Sequence, residues 1–184
     1  MMLRKLKMEV IDMTDSSKVV DGFRFMPPAL RAWISKDIPD QPFGGDIPWT
    51  PLKKPIKETT FTLITTAGIS MKTEPPFDLE REKIEPAWGD PSYREIPRTA
   101  TESDIEVSHL HINTAYIKKD INVMLPLTRF QEFEEEGIIG RLAATCYSYY
   151  GFQLDPTALL EETMPLVAAS MRQENIEAVL LTPA

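Results

Sequence analysis

The distribution of apolar residues predicts five β-strands, all of them after residue 59. Residues 60–66 are β-branched and apolar and end at an Ala-Gly pair, which is typical of a strand that stops at a turn. Residues 103–112 alternate, and a strand there would place four side chains on one face: Ile105, Val107, His109 and His111. Apolar runs predict three further strands, the first and last of them buried: residues 121–125, 145–149 and 177–182.

Start and stop signals predict three helices. A short helix within residues 21–34 would begin at a pair of prolines. A second begins near Thr128, which has capping-box spacing to a glutamine three residues later. A third begins at Asp155 and Pro156, an N-cap residue followed by a proline at the first helical position, and Pro165 is expected to kink it.

The order of strand, helix and strand predicts an α/β fold, specifically a three-layer sandwich with a partly parallel sheet. An irregular, proline-rich N-terminal arm is expected to precede it, because residues 38–51 hold too many prolines and glycines for a regular element. Residues 70–100 are also rich in proline and are predicted to form a long loop. The predicted division is an arm at residues 1–55 and an α/β domain at residues 56–184.

Composition excludes several classes of function. The chain has 184 residues, 28 acidic and 20 basic, for a formal net charge of -8, which disfavours binding to nucleic acid or to an anionic membrane surface. Cys146 is the one cysteine, so no intramolecular disulfide and no zinc-finger spacing exist. No signal peptide or membrane span is recognisable. These features together predict a cytoplasmic globular protein without a bound metal.

Candidate binding residues lie at the predicted strand ends and in the long loop. Thr66 and Gly68 follow the first strand, where backbone N–H groups either bind a small anion or form an ordinary turn. Arg94 either clamps a substrate carboxylate or bonds nearby backbone carbonyls to hold the loop. Pro183 follows the last strand, and open α/β sheets bind ligands outside the carboxyl ends of their strands. Thr66, Gly68 and Pro183 are therefore expected to lie together at one edge of the sheet.

The histidines and the cysteine each allow more than one interpretation. His109 and His111 have the i, i+2 spacing that lets two imidazoles act together as metal ligands or as substrate-site groups. A pair of partly buried, hydrogen-bonded structural histidines is the favoured alternative. Cys146 is either a nucleophile or a small buried hydrophobic residue among tyrosines, and the second interpretation is favoured because the chain has no second thiol.

A series of short motifs resembles the selenoprotein B family of the glycine, betaine, sarcosine and D-proline reductases. Each motif is weak alone, but their order and rough spacing match the family over nearly everything after residue 47. The matching segments are IPWTPLKKP at 47–55, LITTAG at 63–68, PFD at 76–78, GDPSYREIP at 89–97, DINVMLP at 120–126, YSYYG at 147–151 and AVLLTP at 178–183.

The resemblance implies a substrate-specific subunit that cleaves a C–N bond reductively. In that family a selenocysteine or cysteine follows the LLTP strand almost at once, so the nucleophile is expected beyond Ala184. Selenocysteine is encoded by UGA, and a reading frame that treats UGA as a stop would end about here. The implied partners are a subunit that carries a pyruvoyl group, a redox selenoprotein or thiol donor, and a small amino-acid or amine substrate. No cofactor is expected in this chain itself.

A different class of function fits the same residues. The chain could be a non-catalytic α/β domain that binds a small ligand or a partner subunit.

The exposed apolar surface of an incomplete domain would favour an oligomer. The motifs shared across the family do not distinguish glycine, betaine, sarcosine and D-proline as substrates.

Overall fold

The computed structural model describes residues 22–37, 50–85 and 88–184, and the chain divides into two units, Met1–Ile47 and Pro48–Ala184. The described part of the first unit holds a short 3-10 helix, Gly22–Phe25, and helix α1, Pro28–Asp37. The predicted helix is thus confirmed. It begins at Pro28, where proline is tolerated because an N–H in the first turn would have no partner inside the helix. The predicted irregularity at 38–49 lies outside the described residues.

The described residues of the second unit form a mixed α/β fold with seven strands. They are β1 Thr60–Thr65, β2 Ile69–Met71, β3 Tyr93–Pro97, β4 Ile105–Val107, β5 Arg141–Leu142, β6 Thr145–Tyr149 and β7 Ala178–Thr182. Strand β1 pairs in parallel with β5, β6 and β7, whereas β3 is antiparallel to β6. Strand β7 pairs with Phe61–Thr65 along one side of β1. Along the other side, β5 pairs with the beginning of β1 and β6 with its end. Strands β2 and β4 form a separate antiparallel pair.

Three described helices complete this unit: α2 Leu79–Ile84, α3 Leu127–Glu135 and α4 Met164–Gln173. Short 3-10 helices lie at Ile56–Glu58 and Ile121–Val123. Helix α4 connects β6 to β7, and this β-α-β connection accounts for the parallel pairing of both strands with β1. The α/β prediction with a partly parallel sheet is confirmed.

Alternating side chains of β1 and β6 lie on opposite faces of the sheet, and both faces are buried. On one face Leu63 and Cys146, each fully buried, pack with Phe130 of α3 and with the β2–β4 pair. On the other face Ile64 and Tyr147 pack against Val167 of α4. The period-2 alternation of a strand produces these two cores, and each fully buried aliphatic side chain contributes roughly 2 kcal/mol. The sheet is therefore the middle of three layers.

Two of the predicted assignments are wrong because they overlooked local side-chain hydrogen bonds. The stretch 121–125, predicted to be a strand, begins with the 3-10 helix Ile121–Val123, since the Asp120 carboxylate accepts from the N–H of Asn122. Asn122 in turn accepts from the N–H groups of Thr128 and Arg129, and so caps α3 in place of the expected capping box. Gln131, the other half of that box, donates to a backbone carbonyl elsewhere.

The proline-rich stretch 70–100 is also more regular than predicted. It contains the end of β2 and all of α2 and β3. Helix α2 begins where the Asp78 side chain accepts from the N–H of Arg81, which is an N-cap interaction. Strand β3 forms because it pairs with β6 along its whole length. Tertiary pairing overrides the weak local propensity of this stretch.

The C-terminal elements follow the sequence prediction with one correction. Residues 145–149 form β6 as predicted, and Asp155 caps the start of the next helix by accepting from Thr157. A π-helical turn, Leu159–Thr163, comes just before Pro165, which accounts for the expected irregularity. Strand β7, predicted to be buried, lies at the edge of the sheet, and it exposes three apolar side chains: Val179, Leu180 and Leu181.

Candidate functional site

The carboxyl ends of β1, β6 and β7 lie side by side. The N–H of Thr66 donates to the carbonyl of Thr182 at 3.3 Å, and the N–H of Gly151 donates to the carbonyl of Thr66 at 3.0 Å. The N–H of Ala184 donates to the Thr66 hydroxyl at 2.7 Å. The segments after β1 and β7, which hold the candidates Thr66 and Pro183, therefore share one edge of the sheet, and Pro183 is exposed there.

Thr182 anchors the end of β7 through its side chain. Its hydroxyl oxygen lies 2.6 Å from the carbonyl of Met124 and 3.0 Å from the carbonyl of Ile64. Its own carbonyl accepts from the Thr65 hydroxyl at 3.2 Å. These bonds tie β7 both to β1 and to the segment that precedes α3.

We expect Thr182→Val to destabilise the protein by about 1–2 kcal/mol, because it leaves the Met124 carbonyl without its donor. Urea denaturation of the chain measures this free energy of unfolding. Thr182→Ser retains the hydroxyl and is the matched control, with an expected loss below about 0.5 kcal/mol. A larger loss in Thr182→Ser than in Thr182→Val would show that the methyl group, not the hydroxyl, holds the strand end.

Gly68 brings the end of β1 against the segment that carries the histidines. Its φ is +65°, and a β-carbon added to it would lie 2.1 Å from the carbonyl oxygen of Ser108. Its own carbonyl accepts from the N–H of Ser108 at 2.9 Å. Only glycine allows this backbone approach in the left-handed region.

The N–H groups of the turn are used within the protein. Those of Thr66, Ala67 and Gly68 donate to the Thr182 carbonyl, the Thr65 hydroxyl and the Tyr149 carbonyl. This bonding favours the interpretation of the segment as a strand-to-loop turn over an anion site made of backbone N–H groups. The hydroxyl of Thr66 remains the group that reaches the edge.

Arg94 bonds mainly to backbone carbonyls. Its guanidinium donates to the carbonyls of Pro75, Pro76 and Tyr93 at 2.8–3.1 Å and to the Ser92 hydroxyl at 2.9 Å. It also stacks 4.4 Å from the centre of the Phe77 ring. These contacts agree with the loop-holding interpretation, in which Arg94 fixes the segment between β2 and α2.

His109 is a buried ring beside Tyr150. Strand β4 ends at Val107, so both histidines lie after the strand instead of sharing a face with it. The centres of the His109 and Tyr150 rings are 4.7 Å apart. His109 Nδ1 accepts from the N–H of His111 at 3.1 Å. Burial, followed by the nearby His111, lowers the pKa of His109, which favours its neutral form.

His111 pairs with a buried carboxylate that sequence reasoning missed. Its Nε2 lies 2.7 Å from Oε1 of Glu82, whose side chain is only 4% exposed, whereas that of His111 is 47% exposed. The His111 ring also lies 4.3 Å from that of Phe152. Glu82 belongs to α2, in the stretch predicted to be a loop, so no periodic pattern distinguished it from an ordinary surface charge.

Tyr150 completes this cluster and was not singled out as a candidate either. Its hydroxyl oxygen is 3.4 Å from the N–H of Leu110. Burial and then the neighbouring Glu82 raise the pKa of Tyr150 well above its ordinary value, so the phenol stays protonated. The family-like YSYYG motif at 147–151 was the sequence signal that contained it.

Other sites considered from the sequence receive little geometric support. Within residues 22–37, 50–85 and 88–184, no three His, Cys, Asp or Glu side chains are arranged to hold a metal ion. Among the same residues, every helix is too short or too polar to cross a membrane. Cys146 is fully buried, as the structural interpretation predicts, and burial raises the pKa of its thiol to about 11.

Comparisons with known proteins assign the family. Residues 42–184 match the model of the family described as glycine/sarcosine/betaine reductase selenoprotein B. The chain is 37% identical over 134 residues to the D-proline reductase subunit gamma of Acetoanaerobium sticklandii, covering 73% of this chain and 52% of that subunit. It is 26% identical over 136 residues to the glycine reductase complex component B subunit gamma of Carboxydothermus hydrogenoformans, covering 74% and 30%.

The chain thus spans about half the length of one curated relative and about a third of the other. No solved structure matches it. The family match nevertheless covers well over half of the chain and includes β1, β6, β7 and the cluster around Tyr150. The chain belongs to the glycine/sarcosine/betaine reductase selenoprotein B family.

Proposed function

We propose that this chain is part of the substrate-specific subunit of a reductase that cleaves the C–N bond of a small amino acid or amine. The nucleophile of the complete enzyme is a selenocysteine or cysteine that comes after Ala184. The enzyme works in the reducing cytoplasm with two partners, a subunit that carries a pyruvoyl group and a redox selenoprotein or thiol donor. The pyruvoyl group supplies an electrophilic carbonyl that activates the substrate amine.

The single observation that carries this proposal is the meeting of β1 and β7 at the carboxyl edge. Thr66 bonds to both Thr182 and Ala184, so a residue that follows Ala184 in the complete protein would start from this edge. Ligands of open α/β sheets bind outside the carboxyl ends of the strands. The proposal thus puts the nucleophile where this architecture favours a binding site.

The chemistry requires a nucleophile in its anionic form. A selenolate or thiolate attacks the carbon next to nitrogen, and the surroundings must therefore favour the deprotonated state. Cys146 does not meet this requirement, because burial holds its pKa at about 11 and keeps the thiol neutral. Cys146 therefore has no part in the proposed reaction.

In this proposal the candidate residues have different tasks. Thr66 and Pro183 shape the edge from which the nucleophile projects, and Gly68 holds the histidine-bearing segment against it. His109 and His111 contact the substrate or its leaving group. Arg94 supports the neighbouring loop, with its donors on the carbonyls of Pro75 and Pro76.

The test is an assay of the complete gene product together with its pyruvoyl-bearing partner. Glycine, sarcosine, betaine and D-proline are offered with dithiothreitol as reductant, and release of the reduced product is measured. We expect turnover of at least one of these substrates. Replacement of the first cysteine or selenocysteine after Ala184 with alanine should abolish it, with a loss of at least about 10³-fold.

Cys146→Ala is the matched control, since it removes a thiol that the proposal leaves out of the reaction, and it should retain turnover within about twofold. Absence of turnover with every substrate would instead favour a non-catalytic α/β domain that binds a ligand or a subunit. Turnover that survives loss of the later residue would contradict the assignment of the nucleophile.

A further inference from the structure

Glu82 and His111 form a carboxylate–imidazole pair with one buried and one accessible end. The 2.7 Å contact joins Oε1 of Glu82 to Nε2 of His111. Only 4% of the Glu82 side chain is exposed, whereas nearly half of the His111 side chain is exposed. A buried carboxylate that lost its partner would cost several kcal/mol, so this contact fixes how the ring is oriented.

Two neighbours hold the His111 ring from its other sides. The ring lies against Phe152 at 4.3 Å and meets the His109 ring edge-on at 5.8 Å. Its backbone N–H donates to His109 Nδ1. Since Nε2 is directed at Glu82, Nδ1 is the ring nitrogen left for another partner, on a side chain that is nearly half exposed.

Short contacts connect this pair to the carboxyl edge of the sheet. Phe152, which touches His111, directly follows Gly151, whose N–H donates to the carbonyl of Thr66. Thr66 in turn bonds to Ala184 through its hydroxyl. These contacts link the pair, through Phe152 and Thr66, to the edge at which β7 ends.

We propose that His111, oriented by Glu82, is the group that gives a proton to the departing amine nitrogen. This inference rests on the proposed reductase function and adds a general acid to it. In a carboxylate–imidazole pair the carboxylate selects the tautomer and stabilises the imidazolium, while the other ring nitrogen exchanges the proton. Glu82 is thus a positioning residue and His111 a catalytic one.

The proton and electron balance is complete in this step. The thiolate or selenolate uses an electron pair to form the new bond to carbon, and the pair of the C–N bond moves to nitrogen. The proton on Nδ1 of the His111 imidazolium passes to that nitrogen, so the amine leaves without carrying a full negative charge. His111 becomes a neutral ring whose Nε2–H still donates to Glu82, and water restores its proton.

Steady-state kinetics of the complete reductase complex test this role. We expect His111→Gln to lower kcat by about 10²–10⁴-fold with KM changed by less than about threefold, because the acid acts only as the bond breaks. Glu82→Gln should lower kcat by at least about tenfold. Glu80→Gln is the matched control, since it removes an exposed carboxylate from the same helix, and it should leave kcat within about twofold.

The possible results separate the two proposals. If the unmodified complex turns over but His111→Gln keeps kcat within about threefold, the acid role is overturned and the reductase function stands. A rise in KM at unchanged kcat would also overturn it, because His111 would then only bind substrate. If Glu82→Gln loses its circular dichroism, His111→Gln decides alone. An unmodified complex without any turnover overturns the proposed function itself.

A second measurement does not depend on turnover. The chain has two histidines, so long-range ¹H–¹⁵N spectra contain two sets of ring signals, which His109→Asn assigns. At alkaline pH we expect both neutral rings to carry hydrogen on Nε2, His109 because its Nδ1 accepts from His111 and His111 because its Nε2 donates to Glu82. A His111 ring with hydrogen on Nδ1 would overturn the pair.

Discussion

Gly68→Ala is expected to lower the free energy of unfolding by about 3 kcal/mol or more. The left-handed φ of +65° alone costs an alanine roughly 1–2 kcal/mol. A methyl group would in addition fall 2.1 Å from the carbonyl oxygen of Ser108 and 3.3 Å from the Tyr150 ring. Backbone must therefore move to admit it, and the segment that carries His109 moves with Ser108.

Gly137→Ala is the matched control for this prediction. Gly137 has nearly the same φ, +70°, but a β-carbon there would meet no atom within 4 Å. The Gly137→Ala variant should lose only the conformational part of the free energy of unfolding, roughly 1–2 kcal/mol. Urea denaturation of the two variants isolates the steric term as their difference. A difference below about 0.5 kcal/mol would mean that the backbone near Ser108 yields easily and that Gly68 does not fix the histidine segment.

Cys146 is expected to react with a thiol reagent at least about 100-fold more slowly in the native chain than in denaturant. Burial raises the pKa of its thiol from an ordinary 9.0 to about 11, and two pKa units reduce the thiolate fraction about 100-fold at neutral pH. The side chain is also fully buried, so the reagent must wait for the structure to open. Absorbance of the released aromatic thiol measures both rates, and native labelling as fast as in denaturant would contradict the burial argument.

The same shift predicts how stability depends on pH. Because the pKa of Cys146 is higher in the folded state than in the unfolded state, its contribution is fully present below about pH 9 and is lost as the pH rises through about 11. The loss amounts to roughly 3 kcal/mol for a shift of this size. Cys146→Ala should flatten this decline, because it removes the thiol. Parallel declines in the two would show that the thiol does not contribute.

The sequence by itself determined the elements whose signals are local. Strand β6 at Thr145–Tyr149 has the predicted bounds, and β1 ends one residue earlier than predicted. Helix α1 begins at its proline, as expected. β-branched runs and proline at a first helical position act on neighbouring residues, so they can be recognised without knowledge of the fold. The ordered motifs also led to the family, which the family model and the curated relatives show independently.

Tertiary structure decided the features that depend on residues far apart in the chain. Glu82 and His111 are 29 positions apart and meet only because α2 packs beside the segment that follows β4. The exposure of Leu181 follows from the place of β7 at the sheet edge, which its apolar sequence does not reveal. Burial and pairing arise from through-space neighbours, and a one-dimensional pattern records only the intrinsic preference of each residue. For the same reason the pattern placed both histidines on a strand, whereas the fold pairs one with Tyr150 and the other with Glu82.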